Sequence, residues 1–201
     1  MRYLETNSIN PFYNLAFGEY VLTHCFDDNF LILWQNDNTI VVGQNQNTVA
    51  EINADFVKEH NINVVRRTTG DGAVYHDMGN LNYSFIANRE DIDKLSFERF
   101  TEPIVACLTK LGLDAKASGR NDILVSEKKV SGTAQRIYRN RVLHHGTLLF
   151  DANPAFIAGA LNANEAKFRG KASKSVRARI GNIRDFYRIV GIWICRNFGC
   201  T

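Results

Sequence analysis

The chain has 201 residues, 45% hydrophobic and 22% charged, which is enough for one buried core and too apolar for an unfolded polypeptide. A net charge of +3 and a sequence pI near 8.7 are too mild for a nucleic-acid surface, because the basic residues form no long run and the aromatics do not alternate with them. No stretch reaches the roughly 18 to 20 apolar residues that span a bilayer and the N-terminus does not read as a secretory leader, so the expectation is a cytoplasmic protein with neither nucleic acid nor membrane as partner.

Taken in order, "NPFYNLAFGEYVLTHCF" predicts a helix with Asn10 as N-cap and Pro11 at its first position; Phe12, Leu15, Ala16, Tyr20 and Leu22 recur at helical spacing. "FLILWQ" and "TIVVGQ", parted by the turn-like "NDN", read as a hairpin. Residues 51–60 suit a short helix, "INVVRR" a buried strand, and "GAVYHD" with "NLNYSFI" a second strand pair. "SFERFTEPIVACLTKLGL" predicts a second long helix closed by Gly112. "DAKAS", "NDILV", "KKVSGTAQRI" and "VLHHGTLLFD" follow as strands, with "SEK" as a tight turn.

Several neighbouring strands are joined too briefly for parallel crossovers, so the class is α+β, with a mixed, mainly antiparallel sheet flanked by helices. The last fourteen residues, "RIVGIWICRNFGCT", show neither a helical stripe nor clean alternation. Four cysteines, Cys25, Cys107, Cys195 and Cys200, have no metal-ligand spacing and read as reduced thiols.

Three segments carry polar chemistry. In an ideal strand "KKVSGTAQ" would put Lys129, Ser131, Thr133 and Gln135 on one face and Val130, Gly132 and Ala134 on the other, which is either an anion pocket or a solvated surface. "GRNDILV" sets Arg120, Asn121 and Asp122 at a strand start; an Asn-Asp pair there is a candidate Mg²⁺ site or turn chemistry. "VRRTTGDGAVYHD" joins two arginines to a glycine turn, without the spacing of a Walker or dinucleotide motif. "HHGTLLF" adds His144 and His145 on an apolar strand.

In this order and spacing, "RRTTGDGAVYHDMGNLNYSF", "SGRNDILV", "KKVSGTAQ" and "HHGTLLFD" resemble the catalytic domain of the lipoate-protein ligase family, within the biotin/lipoate ligase superfamily; "NPFYNLAFGEY" and "VVGQNQN" resemble its opening. The resemblance covers residues 1–186 and leaves 187–201 as an unmatched tail, with the family's accessory domain absent. It implies a two-step ligase: lipoate and ATP with Mg²⁺ form lipoyl-adenylate, and the acyl group passes to a lysine on an apo lipoyl domain, of a 2-oxoacid dehydrogenase E2 subunit or the glycine cleavage H protein. By the same resemblance Lys129 is the catalytic cation, Asp122 the metal ligand and Asn121 its neighbour in the adenylate site. Arg67, Arg66, Thr69, Gly70 and Gly72 face the phosphate, Val74 and Tyr75 the adenine, and Arg136 and His145 the acyl and adenylate groups. Trp34, Val41, Val42 and Gly43 suit the walls of an apolar slot for the lipoyl tail.

The chain departs from the resemblance at Asp71, where the family's turn commonly has a third glycine, and in its length. An anion in the cradle implies weakened activation of lipoate, with Asp71→Gly expected to raise the adenylation rate. The alternatives are an inactive paralogue that binds lipoyl-adenylate, an octanoyl or lipoyl transferase working without adenylation, and a biotin ligase; the transferase's pattern includes a pocket cysteine, and no motif block here contains one.

Overall fold

The computed structural model describes residues 1–89, 97–119, 121–162 and 180–190. Its centre is a seven-stranded sheet in the order β1-β2-β6-β10-β9-β8-β7, built from β1 (Arg2–Glu5), β2 (Phe30–Trp34), β6 (Asn80–Asn88), β7 (Ala115–Ser118), β8 (Asp122–Val125), β9 (Lys128–Tyr138) and β10 (Arg141–Leu149). Only β1 and β2 pair in parallel; every other neighbour is antiparallel. A second, three-stranded sheet, in the order β4-β3-β5, comprises β3 (Thr39–Val42), β4 (Asn63–Arg66) and β5 (Val74–His76). The α+β class with a mainly antiparallel sheet is therefore observed.

Helix α1 (Pro11–His24) begins as its sequence dictates: the Asn10 side chain accepts from the amides of Phe12 and Tyr13, and Pro11 stands in the first turn. Its inward face differs from the expected stripe. Val21 and Leu22 are buried against Phe30, Ile32, Trp34, Ile86 and Leu143, whereas Phe12 and Tyr20 are 62% and 57% exposed. The helix is apolar on both sides, so spacing alone does not identify the packed one.

The expected hairpin does not form. β2 lies between β1 and β6 of the large sheet, and β3 between β4 and β5 of the small one. The linking segment turns away at Asn38, whose φ is 39° and whose amide donates to the carbonyls of His60 and Asn61. The second expected pair separates likewise, β5 joining β3 and β6 joining β2 and β10. β4 is an edge strand with only Val65 buried.

The short helix expected over 51–60 is α3 (Ala54–Glu59), preceded by an unexpected α2 (Thr48–Glu51); each is capped by an asparagine, Asn53 and Asn47. With α5 (Pro154–Ala160), unassigned from sequence, α3 packs on the small sheet around Ile40, Val42, Ile62, Tyr75 and Ala160. The opposite face of the large sheet is covered by α4 (Phe97–Lys110), closed as expected by Gly112 at φ 85°. It is also covered by α6 (Ile183–Val190), through Ile183, Phe186 and Tyr187. Four residues of the expected tail thus continue α6; 191–201, like Arg120, lie outside the described residues. No helix among the described residues is long and apolar enough to cross a membrane.

Candidate active site

Between the two sheets lies a cavity of about 850 Å³, walled by β3 and β5 on one side, β6, β9 and β10 on the other, and by α5. Lys129, Arg67, Gly72, Val74, Tyr75 and His145 line it together with Trp34 and Val41. Residues singled out in separate stretches of the sequence, from Trp34 to His145, therefore meet on one hollow.

Lys129 reaches it by a route that alternation did not foresee. β9 carries one extra residue against β8: Ile123 pairs with Ser131, and its neighbour Leu124 with Lys129, a bulge centred on Val130. Beyond the bulge, Gly132, Ala134 and Arg136 share the cavity side of the sheet with Lys129. Ser131, Thr133 and Gln135 fall on the α4 side, where Gln135 meets the buried His144. The expected polar face of four residues is therefore replaced by Lys129 over Gly132, and a Cβ on Gly132 would stand only 3.1 Å from Nζ. The Lys129 ammonium is 2.7 Å from Asp122 Oδ1, with side chains 36% and 34% exposed. Its main chain is held too, its carbonyl accepting from the Gly181 amide at 3.0 Å.

Across the hollow, Arg67 organises the glycine turn. Its guanidinium donates to Val41 O (3.0 Å), to Thr69 Oγ1 (3.0 Å), to Gly70 O (2.7 and 3.2 Å) and to Gly72 O (2.6 Å). Each nitrogen expected on phosphate is thus engaged within the protein, by β3 or by the turn. Burial pushes this guanidinium below its usual value, while Asp71 and then Glu51 oppose the shift. Arg66 is turned away from the large cavity, donating to the carbonyls of Gly43, Gln44 and Gln46 and to Thr48.

The left-handed residue of the turn is Asp71, at φ 76°, and not either glycine. Its carbonyl would lie 1.9 Å from a Cβ on Gly43, so Gly43 is there to let the turn settle on β3. The Asp71 carboxylate accepts from Asn121 Nδ2 at 2.8 Å, and the same amide nitrogen donates to Thr133 O. Asn121 therefore ties the turn to the large sheet instead of lining the cavity.

Thr69 Oγ1 and His145 Nε2 are 2.7 Å apart beneath the turn. Burial, with Arg67 close by, lowers the pKa of His145, so the ring is neutral near pH 7. Tyr75 is pushed up to about 12 by burial and by Asp77 and Asp37, and its hydroxyl donates to Asn38. Arg136 lies outside the lining, with Nη1 donating to both oxygens of Glu19 at 2.9 and 2.7 Å. Of the expected slot walls, Trp34 and Val41 face the cavity, Val42 packs into the small-sheet core and Gly43 supports the turn.

Sequence reasoning missed Glu51, which lines the cavity and accepts from the Ala73 amide, and Asn82 and His76, which bring buried polar atoms to its floor. The "NLN" and "VYH" alternation could have marked the last two. As a metal site, the described residues contain no cluster of three His, Cys, Asp or Glu ligands. A single half-exposed carboxylate such as Asp122, completed by phosphate oxygens, is nevertheless a donor set that Mg²⁺ accepts.

The lipoyl protein ligase A/B catalytic domain family matches residues 10–193. The chain belongs to that family. Among curated members, lipoate-protein ligase 1 of Staphylococcus aureus is 44% identical over 188 residues, covering 92% of this chain and 57% of its own. The chain thus spans a little over half the length of such relatives. A solved bi-partite lipoate protein ligase of Thermoplasma acidophilum, described with its E2 lipoyl domain, superposes with a TM-score of 0.82 at 33% identity, over 92% of this chain and 75% of that one. A lipoate-protein ligase A bound with ATP gives 0.78 at 28% identity, over 92% and 75%.

Proposed function

We propose that residues 1–186 form the catalytic domain of a lipoate-protein ligase. The lipoate carboxylate oxygen attacks the α-phosphorus of ATP and pyrophosphate leaves. The amine of a lysine on an apo lipoyl domain then attacks the acyl carbon, forming an amide and releasing AMP. The observation that carries this reading is the bulge that turns Lys129 into the same cavity as the Arg67-braced turn. A fixed ammonium there offsets negative charge on the carboxylate and phosphate as they join. Arg67 contributes its charge and the shape of the turn, since each of its nitrogens already donates within the protein. Val74 and Tyr75 offer a wall for the nucleoside, and Trp34 and Val41 an apolar wall for the dithiolane and its chain.

Asp122 would hold Mg²⁺, which when bound screens the phosphate charge. The acceptors under this reading are the lipoyl domains of E2 subunits or the H protein, and the setting is the cytoplasm, where ATP is available. A transferase acting through an acyl-cysteine finds no support among the described residues, because Cys25 and Cys107 stand outside the cavity lining. A second reading, an adenylate-binding module without turnover, is favoured by the exposed carboxylate of Asp71 at the turn.

A gel-shift assay on an apo lipoyl domain tests both, run once with lipoate and Mg-ATP and once with preformed lipoyl-adenylate. Modification in the first arm supports the ligase. Modification in the second arm alone locates a defect in activation, and none in either arm from a folded chain that still binds the adenylate supports the module.

A further inference from the structure

The ionised side chains around the cavity are matched. Lys129 is paired with Asp122 at 2.7 Å, and Arg67 is opposed by Asp71 and Glu51. The lining histidines, His76 and His145, are held neutral by burial, and Tyr75 keeps its proton. Among the described lining residues, two cations, Arg67 and Lys129, therefore face two anions, Glu51 and Asp71, before Asp122 is counted. Each guanidinium nitrogen of Arg67 already donates within the protein, to Val41 on β3 and to Thr69, Gly70 and Gly72 of the turn, so what it offers a ligand is chiefly charge, and charge is what a nearby carboxylate cancels.

Asp71 holds its place at some strain. It occupies a left-handed φ of 76° that favours glycine, and its carboxylate is anchored by Asn121 at 2.8 Å. An anchored anion thus stands close to a lining cation whose nitrogens are already engaged by the chain.

We propose that Asp71 sets the charge of the ligand that the cavity accepts, favouring a singly charged acyl-adenylate over a metal-free nucleoside triphosphate. This rests on the adenylate-binding reading above. One phosphate charge ~4 Å from a carboxylate is disfavoured about fivefold even in water, and more where water is partly excluded. A triphosphate brings several such charges and an acyl-adenylate one.

The test is calorimetric titration of the full chain, and of its Asp71→Asn and Asp71→Gly variants, with two ligands. One is a non-hydrolysable, singly charged lipoyl-sulfamoyl adenosine; the other is ATP in the presence of EDTA. Asparagine keeps an oxygen to accept from Asn121 and removes only the charge; glycine removes both and relieves the backbone, so the pair separates charge from the bond. Both variants are expected to strengthen metal-free ATP binding by about tenfold or more while changing analogue affinity by at most about fivefold. Equal factors for both ligands, no gain for ATP in Asp71→Asn, or a gain in Asp71→Gly alone would overturn the filter while leaving the adenylate reading intact. An analogue that binds no folded variant would remove that reading and the filter with it.

Discussion

Arg67 allows the two readings of the glycine turn to be told apart, because the group that sequence would assign to phosphate is seen bracing the turn. In Arg67→Met the aliphatic reach is retained and every donor is lost. Four acceptors are then released: Val41 O, Thr69 Oγ1, Gly70 O and Gly72 O. Gly70 and Gly72 are half-buried, so water can replace the arginine there. Val41, at 2% exposure, is not so easily hydrated, and an unsatisfied buried acceptor costs about 1–3 kcal/mol; Thr69 keeps its contact with His145 Nε2. Removing a buried cation also relieves its desolvation, which leaves an expected loss of about 2 kcal/mol of folding stability. With a urea slope of about 1–3 kcal/mol/M for a small protein, the unfolding midpoint should fall by roughly 0.7–2 M. A midpoint unchanged within error, accompanied by lost affinity for the adenylate analogue, would refute the brace and restore Arg67 as a direct phosphate ligand.

Other outcomes follow from neighbouring groups. Gly132→Ala places a methyl 3.1 Å from Lys129 Nζ and 3.2 Å from Cε. The lysine tip can yield, so stability should change by less than about 1 kcal/mol while turnover falls about tenfold from the displaced ammonium; an unchanged turnover number in steady-state assays would contradict this. His76 and His144 are held at about 3, against an ordinary 6.5, chiefly by burial. Because these folded-state values are lowered, the stabilisation is complete above pH 6.5 and is lost as the pH falls toward 3. The slope is about 1.4 kcal/mol per pH unit for each ring. Urea midpoints recorded between those values should therefore decline with acidity, and His144→Phe should reduce the slope by one histidine's share; a pH-independent midpoint would contradict the neutral buried rings.

What could be read from sequence was what local chemistry decides. Asn10 and Pro11 start α1, Gly112 ends α4, and "SEK" makes the turn between β8 and β9, where Ser126 and Glu127 adopt positive φ. Pairing partners were less legible. β2 and β6 are dozens of residues apart, and nothing in "NDN" states that Asn38 bonds to the α3–β4 connection instead of closing a hairpin.

At the site, residue types were legible through the resemblance, but their orientation depended on features without a sequence signature. One extra residue in β9 redirects Lys129. Arg66 and Arg67 are adjacent and both satisfied by backbone carbonyls, yet only Arg67 lines the large cavity. The aspartate of the turn could be seen in sequence; that it takes the left-handed position and is bonded to Asn121 could not.

The central claim is that the ammonium of Lys129 meets the activated carboxyl group inside this cavity. Calorimetric affinity for the lipoyl-sulfamoyl adenosine, compared between the native chain and a folded Lys129→Met variant, addresses it most directly. A loss of about tenfold or more is expected, as when a charge-assisted contact is removed from a partly exposed site. Equal affinity in the two proteins would contradict it.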